Sequence, residues 1–140
     1  MRIMAIDYGD AHTGVAVSDP TGFLTGFTAI ITAYRPEAVA EQITALAREH
    51  GAEELVLGHP RNMDGTRGPR AQKAEALAEL LREASGLPVV LWDERRTTID
   101  AHQILFNAGK NARQRKKTVD AVAASLILEG YLTYKKNQEK

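Results

Sequence analysis

The stretch Ile3-Met4-Ala5-Ile6-Asp7-Tyr8-Gly9-Asp10, followed by Thr13-Gly14-Val15-Ala16-Val17-Ser18-Asp19-Pro20, decides the reading of this chain. Each half is a short β-prone run that stops at an acid and is bounded by Gly or Pro, which predicts two strands joined by a tight connection. A third run, from about Leu24 to Thr32, is rich in Thr, Phe and Ile and extends the pair to an antiparallel meander.

Downstream the apolar period changes. Pro36 can open a helix that carries Val39, Ile43, Leu46 and Ala47 on one face, and Gly51 closes it. Glu54-Leu55-Val56-Leu57-Gly58 is a fourth strand whose unbroken apolar run predicts burial on both faces. His59 to Pro69 reads as a loop. A second helix follows, with Ala74, Leu77, Ala78 and Leu81 as its inner stripe and Gly86 after its end. Pro88-Val89-Val90-Leu91-Trp92 is a fifth strand running into Asp93-Glu94. Thr98 can cap a third helix through Ile104 and Leu105 that stops at Gly109, Asn107 to Lys117 is polar and basic, and a last helix spans about Thr118 to Tyr134. The order predicts an α/β fold. Its five-stranded mixed sheet has the first three strands antiparallel and the first, fourth and fifth parallel through right-handed crossovers, with helices on its faces.

Composition agrees with this and narrows the function. At 140 residues with 44% hydrophobic content, the chain suits one domain over residues 1–140 with one core, and leaves no room for a two-lobed enzyme. The absence of cysteine excludes disulfides, thiolate zinc sites and cysteine nucleophiles. No apolar run approaches the ~20 residues of a membrane helix, and the N-terminus lacks the pattern of a secretory signal, so a cytoplasmic protein is expected. Eighteen basic residues balance eighteen acidic ones, but they are unevenly placed. Arg61, Arg67, Arg70 and Lys73 form one basic stretch. Arg95, Arg96, Lys110, Arg113, Arg115, Lys116 and Lys117 form a second with Asp100 as its sole acid, while acids gather on Glu37 to Glu54 and Glu75 to Glu83, which read as outer helix faces. A neutral chain of this kind can present a basic face to nucleic acid.

Acids sit where chemistry is expected. The ligand crevice of an open α/β sheet lies beyond the carboxyl ends of its parallel strands. Asp7 ends the first strand and the Asp93-Glu94 pair ends the fifth. Acids after strands also commonly cap the next turn. Asp120 shares a helix face with Ala123, Ala124 and Ile127, so it leans toward the sheet, although an acid in a first helical turn can simply complement the helix dipole. Converging carboxylates without cysteine or paired histidine suit hard cations, Mg²⁺ or Mn²⁺, and two such ions can clamp an in-line phosphoryl displacement. Basic flanks on the same edge would hold a polyanion. His12 and His59 read as polar loop residues near the crevice; none of the four histidines has metal-ligand spacing.

Several motifs together resemble the YqgF family. They are Asp7-Tyr8-Gly9 with Gly14-Val15-Ala16-Val17-Ser18-Asp19, then Asn62-Met63-Asp64-Gly65-Thr66, Asp93-Glu94-Arg95 with Thr97-Thr98, and Val119-Asp120-Ala121 with Ala123-Ala124 and Ile127-Leu128. The resemblance spans residues 2 to 134 and implies a ribonuclease H-like fold, shared with Holliday junction resolvases. It also implies nuclease activity tied to trimming the 5′ end of precursor 16S ribosomal RNA, and so to a ribosomal precursor particle. Asp7, Glu94 and Asp120 would be the catalytic and metal-binding acids, with Asp93 as an alternative ligand because the motif offers two adjacent acids. Asn62, Arg67, Arg70, Arg95, Lys110, Arg113, Arg115, Lys116 and Lys117 would bind nucleic acid, and the segments Asn62 to Arg70 and Lys110 to Lys117 would be mobile without it. Some positions depart from the family's pattern: His59 replaces a usual apolar residue before the proline, Ala11-His12 sits where a basic residue is frequent, and Arg96 replaces a usual apolar one.

Rival readings remain. Asp7-x-Gly9 before a Val-Ala-Val strand also resembles the phosphate loop of actin-like ATPases, but the second lobe and second Asp-x-Gly loop are missing. A four-way DNA junction is the alternative substrate; a resolvase normally acts as a dimer, and no exposed apolar strip is evident, which favours RNA. A non-catalytic RNA-binding module for ribosome assembly would keep the fold and lose the cleavage.

Overall fold

A computed structural model describes residues 1–19, 25–60, 64–93 and 112–138, with 112–121 and 138 described by backbone alone. Five strands, β1 (Ile3–Asp7), β2 (His12–Ser18), β3 (Thr25–Thr32), β4 (Glu54–His59) and β5 (Val89–Asp93), form one sheet in the order β3-β2-β1-β4-β5. β1 pairs antiparallel with β2, and β2 with β3; β1 pairs parallel with β4, and β4 with β5. The described helices are α1 (Pro36–His50), α2 (Pro69–Ser85) and α3 (Ala112–Gln138). The expected topology is therefore present. The third helix expected over residues 98–109 lies outside the described residues.

Each described helix follows from local sequence. Pro36 and Pro69 stand at the first helical positions of α1 and α2, where a missing N–H costs nothing and the fixed φ suits the helix. Gly51 and Gly86 end them in the left-handed conformation, at φ 69° and 71°. In α1 the buried stripe is Val39, Ala40, Ile43, Thr44 and Ala47; the Thr44 hydroxyl donates back to the Ala40 carbonyl at 2.8 Å, which satisfies it inside the protein. In α2 the buried stripe is Ala71, Ala74, Leu77, Ala78 and Leu81.

The two faces of the sheet carry separate cores. Met4, Ile6, Val15, Val17, Leu55, Leu57 and Val89 point toward α1 and α2, where they meet Val39, Ile43, Leu77 and Leu81. Ile3, Ala5, Ala16, Val56 and Trp92 point toward α3 and meet Ala124, Ile127, Leu128 and Tyr131. β1 and β4 are central strands buried on both faces, as the continuous Leu55-Val56-Leu57 run predicts. Burying a side chain the size of Leu77 or Ile127 contributes roughly 2 kcal/mol, so the layers cohere through many such side chains.

The last helix differs from expectation at its start. α3 begins at Ala112 rather than near Thr118, and Arg113, Arg115, Lys116 and Lys117 lie on it rather than in a loop. Ala112-Arg113-Gln114-Arg115-Lys116-Lys117 contains only strong helix formers and neither Gly nor Pro, so propensity outweighs the polar character that suggests a loop.

Candidate functional site

Asp7 closes β1 and is half-buried. Opposite it on β2 stands Gly14, and the next residues turn sharply into the β1–β2 hairpin. A Cβ at Gly9 would sit 2.4 Å from the His12 carbonyl oxygen, so only glycine allows this hairpin to close right after the acid. Tyr8 packs against the core on the α1/α2 face, and burial, followed by the nearby Asp10 and Glu37 carboxylates, pushes its hydroxyl above the usual phenol range. The Asp7 carboxylate makes no hydrogen bond or ion pair among the described residues.

Strand alternation separates the acids. Ile3 and Ala5 face α3, so Asp7 does too. On β5, Val90 and Trp92 face α3 while Val89 and Leu91 face α1 and α2, which places Asp93 on the α1/α2 face. Asp93 pairs in register with His59, whose side chain also lies on that face. Asp7 and Asp93 thus end parallel strands at the same edge of the sheet but on opposite faces. Glu94, Arg95, Asn62 and Lys110 lie outside the described residues. Asp120 belongs to α3, three and four residues before Ala123 and Ala124, both buried against the sheet; its side chain and those of Arg113, Arg115, Lys116 and Lys117 are likewise outside them. Asp7 is therefore the one member of the expected triad seen with its side chain, and among the described residues no three metal-ligating side chains converge.

In the connection from β4 to α2, residues 64–67 make local hydrogen bonds. The Asp64 carboxylate accepts from the Thr66 amide at 2.9 Å and the Thr66 hydroxyl at 2.6 Å, folding Asp64-Gly65-Thr66 into a turn. Pro69 and Arg70 already belong to α2. Arg67 donates from Nη1 to Glu75 at 3.0 and 3.2 Å. His59 is corrected from a loop residue to the last residue of β4; it is only 5% exposed, and its Nε2 lies 2.7 Å from Glu75 Oε2. The sequence suggests an outer helix face for Glu75, but Glu75 turns toward the strand end because a buried imidazole there needs a partner. His12 likewise starts β2 rather than sitting in a loop.

One buried acid gives no signal in the sequence beyond its place before an apolar run. Glu54 starts β4 at the edge of the sheet remote from Asp7, and it is 8% exposed. It accepts a 2.7 Å bond from the Tyr131 hydroxyl and a 2.8 Å bond from Lys135 Nζ. Tyr131 also meets the Trp92 ring edge-on, and Tyr134 flanks both. Tyr131 is buried while Tyr134 is exposed, and the two bonds to Glu54 tie the end of α3 to the start of β4.

The mixed sheet with acids at the carboxyl edge defines the ribonuclease H-like class. A chain of Thermus thermophilus RuvC in complex with a Holliday junction substrate shares the fold with a TM-score of 0.64 at 14% identity, over 98% of this chain and 96% of that one. A second RuvC structure from the same organism aligns with a TM-score of 0.55 at 13% identity, over 98% of this chain and 97% of that one. The chain belongs to the RuvX family, also called YqgF: the family model described as "RuvX: Holliday junction resolvase" matches residues 1–134. A Halothermothrix orenii relative named "Putative pre-16S rRNA nuclease" is 42% identical over 134 residues, 96% of each chain. A relative of the same name from Pelotomaculum thermopropionicum is 46% identical over 133 residues, 94% of this chain and 86% of its own length.

Proposed function

We propose that this chain is a single-domain, metal-dependent nuclease that processes the 5′ end of precursor 16S ribosomal RNA in the cytoplasm, on a ribosomal precursor particle. The observation that carries the reading is Asp7: a half-buried carboxylate at the end of a central strand, on the α3 face, without a partner among the described residues. Such a group suits a hard cation better than a structural role. Glu94 comes into this reading through the family motif alone and lies outside the described residues. α3 supplies Asp120 on the stripe that Ala123, Ala124 and Ile127 continue. Tyr131 anchors the helix at the far end of β4, and position 120 is eleven residues earlier, about 16 Å along the axis at ~1.5 Å per residue. That length is comparable to a strand of five residues at ~3.3 Å each, which favours Asp120 reaching the carboxyl edge.

An all-oxygen donor set of Asp7, Glu94 and Asp120 fits Mg²⁺ or Mn²⁺. Bound there, divalent ions supply an activated water and stabilise the leaving oxygen of the phosphodiester. The chain's own residues do the rest. Asp7, Glu94 and Asp120 would hold the ions at the carboxyl edge of the sheet. The basic residues Arg67 and Arg70, with Asn62, Arg95, Lys110, Arg113, Arg115, Lys116 and Lys117, offset the acids' repulsion of the polyanion. The names of the relatives support RNA as substrate, and the family description makes a four-way DNA junction the second arm of the test. The experiment is cleavage of precursor RNA and of a junction by the purified protein with and without divalent metal.

A further inference from the structure

The interaction that the proposed function leaves unused is the buried pair at the carboxyl end of β4. His59 has its side chain 6% exposed and sits 2.7 Å from Glu75, whose side chain is 28% exposed. A carboxylate can only accept, so Nε2 carries the hydrogen in this bond whatever the charge of the ring. The same carboxylate takes both bonds from Arg67 Nη1, and the Arg67 side chain is 56% exposed. Nη2 and Nε of Arg67 have no partner among the described residues. Arg67 follows directly on the turn that Asp64 and Thr66 close.

We propose that His59 is a positioning residue for nucleic-acid binding, which through Glu75 holds the Arg67 guanidinium at the rim of the crevice with two faces of its fork open to a phosphate. This inference rests on the reading of the chain as a nuclease and names a residue through which that site grips its substrate. An exposed Arg–carboxylate pair is by itself worth little, because both side chains must be ordered against their own entropy. Here one partner is already ordered: Glu75 is fixed from below by an imidazole that the strand buries. The ordering is complete before substrate arrives, and preorganisation of this kind raises affinity by removing that cost from binding. It also accounts for a polar residue at the end of a strand whose other residues on the α1/α2 face, Leu55 and Leu57, are apolar.

The test is a cycle of variants read by fluorescence anisotropy with a labelled fragment of precursor 16S RNA, in EDTA so that no cleavage occurs. Arg67→Ala is expected to weaken binding roughly fivefold, and His59→Leu to weaken it by a similar factor, the scale of one hydrogen-bonded contact. The double variant is expected to bind no more weakly than Arg67→Ala alone, because both changes remove the same interaction. His59→Gln, whose amide can donate to Glu75 from nearly the same place, is expected to bind within about twofold of the unaltered chain, consistent with retention of that single hydrogen bond. Melting curves accompany each variant; if His59→Leu does not fold, Glu75→Gln takes its place in the cycle with Arg67→Ala. Additive losses in the double variant, or no recovery with Gln in a folded protein, overturn the inference and leave the nuclease reading standing. No RNA binding by the unaltered chain overturns both.

Discussion

Asp7 and Asp93 end two strands that both pair in parallel with β4, and their side chains leave opposite faces of the sheet. Asp7 stands on the face that α3 covers; Asp93 stands with His59 on the face of α1 and α2. Strand alternation thus favours Asp7 over Asp93 as the acid that faces α3. Asp7→Asn is therefore expected to abolish metal-dependent cleavage, and Glu94→Gln and Asp120→Asn to match it. Removing a residue that merely orients a metal ligand costs about 10- to 100-fold, so each of these changes to a ligand itself is expected to exceed roughly a hundredfold. Asp93→Asn is expected to keep most of the rate. Removing a carboxylate from a crowded site also relieves like-charge repulsion, so the metal-free melting temperature of the three inactive variants should hold or rise. Full turnover by Asp7→Asn, or a dead Asp93→Asn beside an active Glu94→Gln, would reverse the assignment.

The Tyr131–Glu54 bond gives a prediction about stability that is independent of catalysis. Tyr131→Phe removes a donor from a buried carboxylate and is expected to cost about 1–2 kcal/mol. Burial, helped by the bond to Glu54 and its charge, pushes the Tyr131 hydroxyl far above its ordinary value of 10.0. A phenol whose folded value is raised stabilises the fold fully below the unfolded value and loses that contribution as pH climbs toward the folded one. The chain is thus expected to lose stability above pH ~10 through this group, and Tyr131→Phe to show a shallower alkaline loss. Urea unfolding near neutrality and at alkaline pH, for both proteins, measures it. An equal alkaline slope in the two would remove Tyr131 from the account.

Much of this fold is legible in the sequence because its signals are local. The two apolar periods separate strands from helices, and Pro36, Gly51, Pro69 and Gly86 punctuate them. The continuous Leu55-Val56-Leu57 run marks a strand covered on both faces. What escapes depends on residues far apart in sequence. Glu54 meets Tyr131 across 77 positions and His59 meets Glu75 across 16, and neither spacing is a helical or strand period. Glu75 looks like one more acid on a solvated helix face because nothing nearby in sequence marks the imidazole that turns it inward. The start of α3 is hidden for the opposite reason: a dense run of charge suggests a loop, although the same residues are strong helix formers. Of the expected acids, Asp7 is placed at its strand end by an apolar run and the turn after it, whereas the choice between Asp93 and Glu94 needs the face each strand position takes.

Helical placement of Arg113, Arg115, Lys116 and Lys117 sharpens the prediction for the basic segment. Their charges precede Asp120 by three to seven residues on one element, so they would hold the strand beside the acids and contact phosphates rather than bases. Lys116→Ala with Lys117→Ala is expected to weaken binding about equally for unrelated RNA sequences. The slope of log affinity against log salt should fall by up to about 1.4–1.8, at ~0.7–0.9 for each phosphate no longer neutralised. The maximal rate at saturating RNA should change much less than the affinity. An unchanged salt slope with a collapsed maximal rate would make these lysines part of the catalytic site.

The most direct measurement is a side-by-side cleavage assay. The purified protein is offered a model precursor 16S RNA and a four-way DNA junction, each with Mg²⁺, with Mn²⁺ and with EDTA, and Asp7→Asn runs beside it throughout. The account predicts that the RNA is shortened at its 5′ end only when a divalent metal is present, that the junction is cut far more slowly or not at all, and that Asp7→Asn is inactive while still folded. Cleavage that persists in EDTA or in Asp7→Asn, or binding of precursor RNA with no cleavage under any metal, would contradict it.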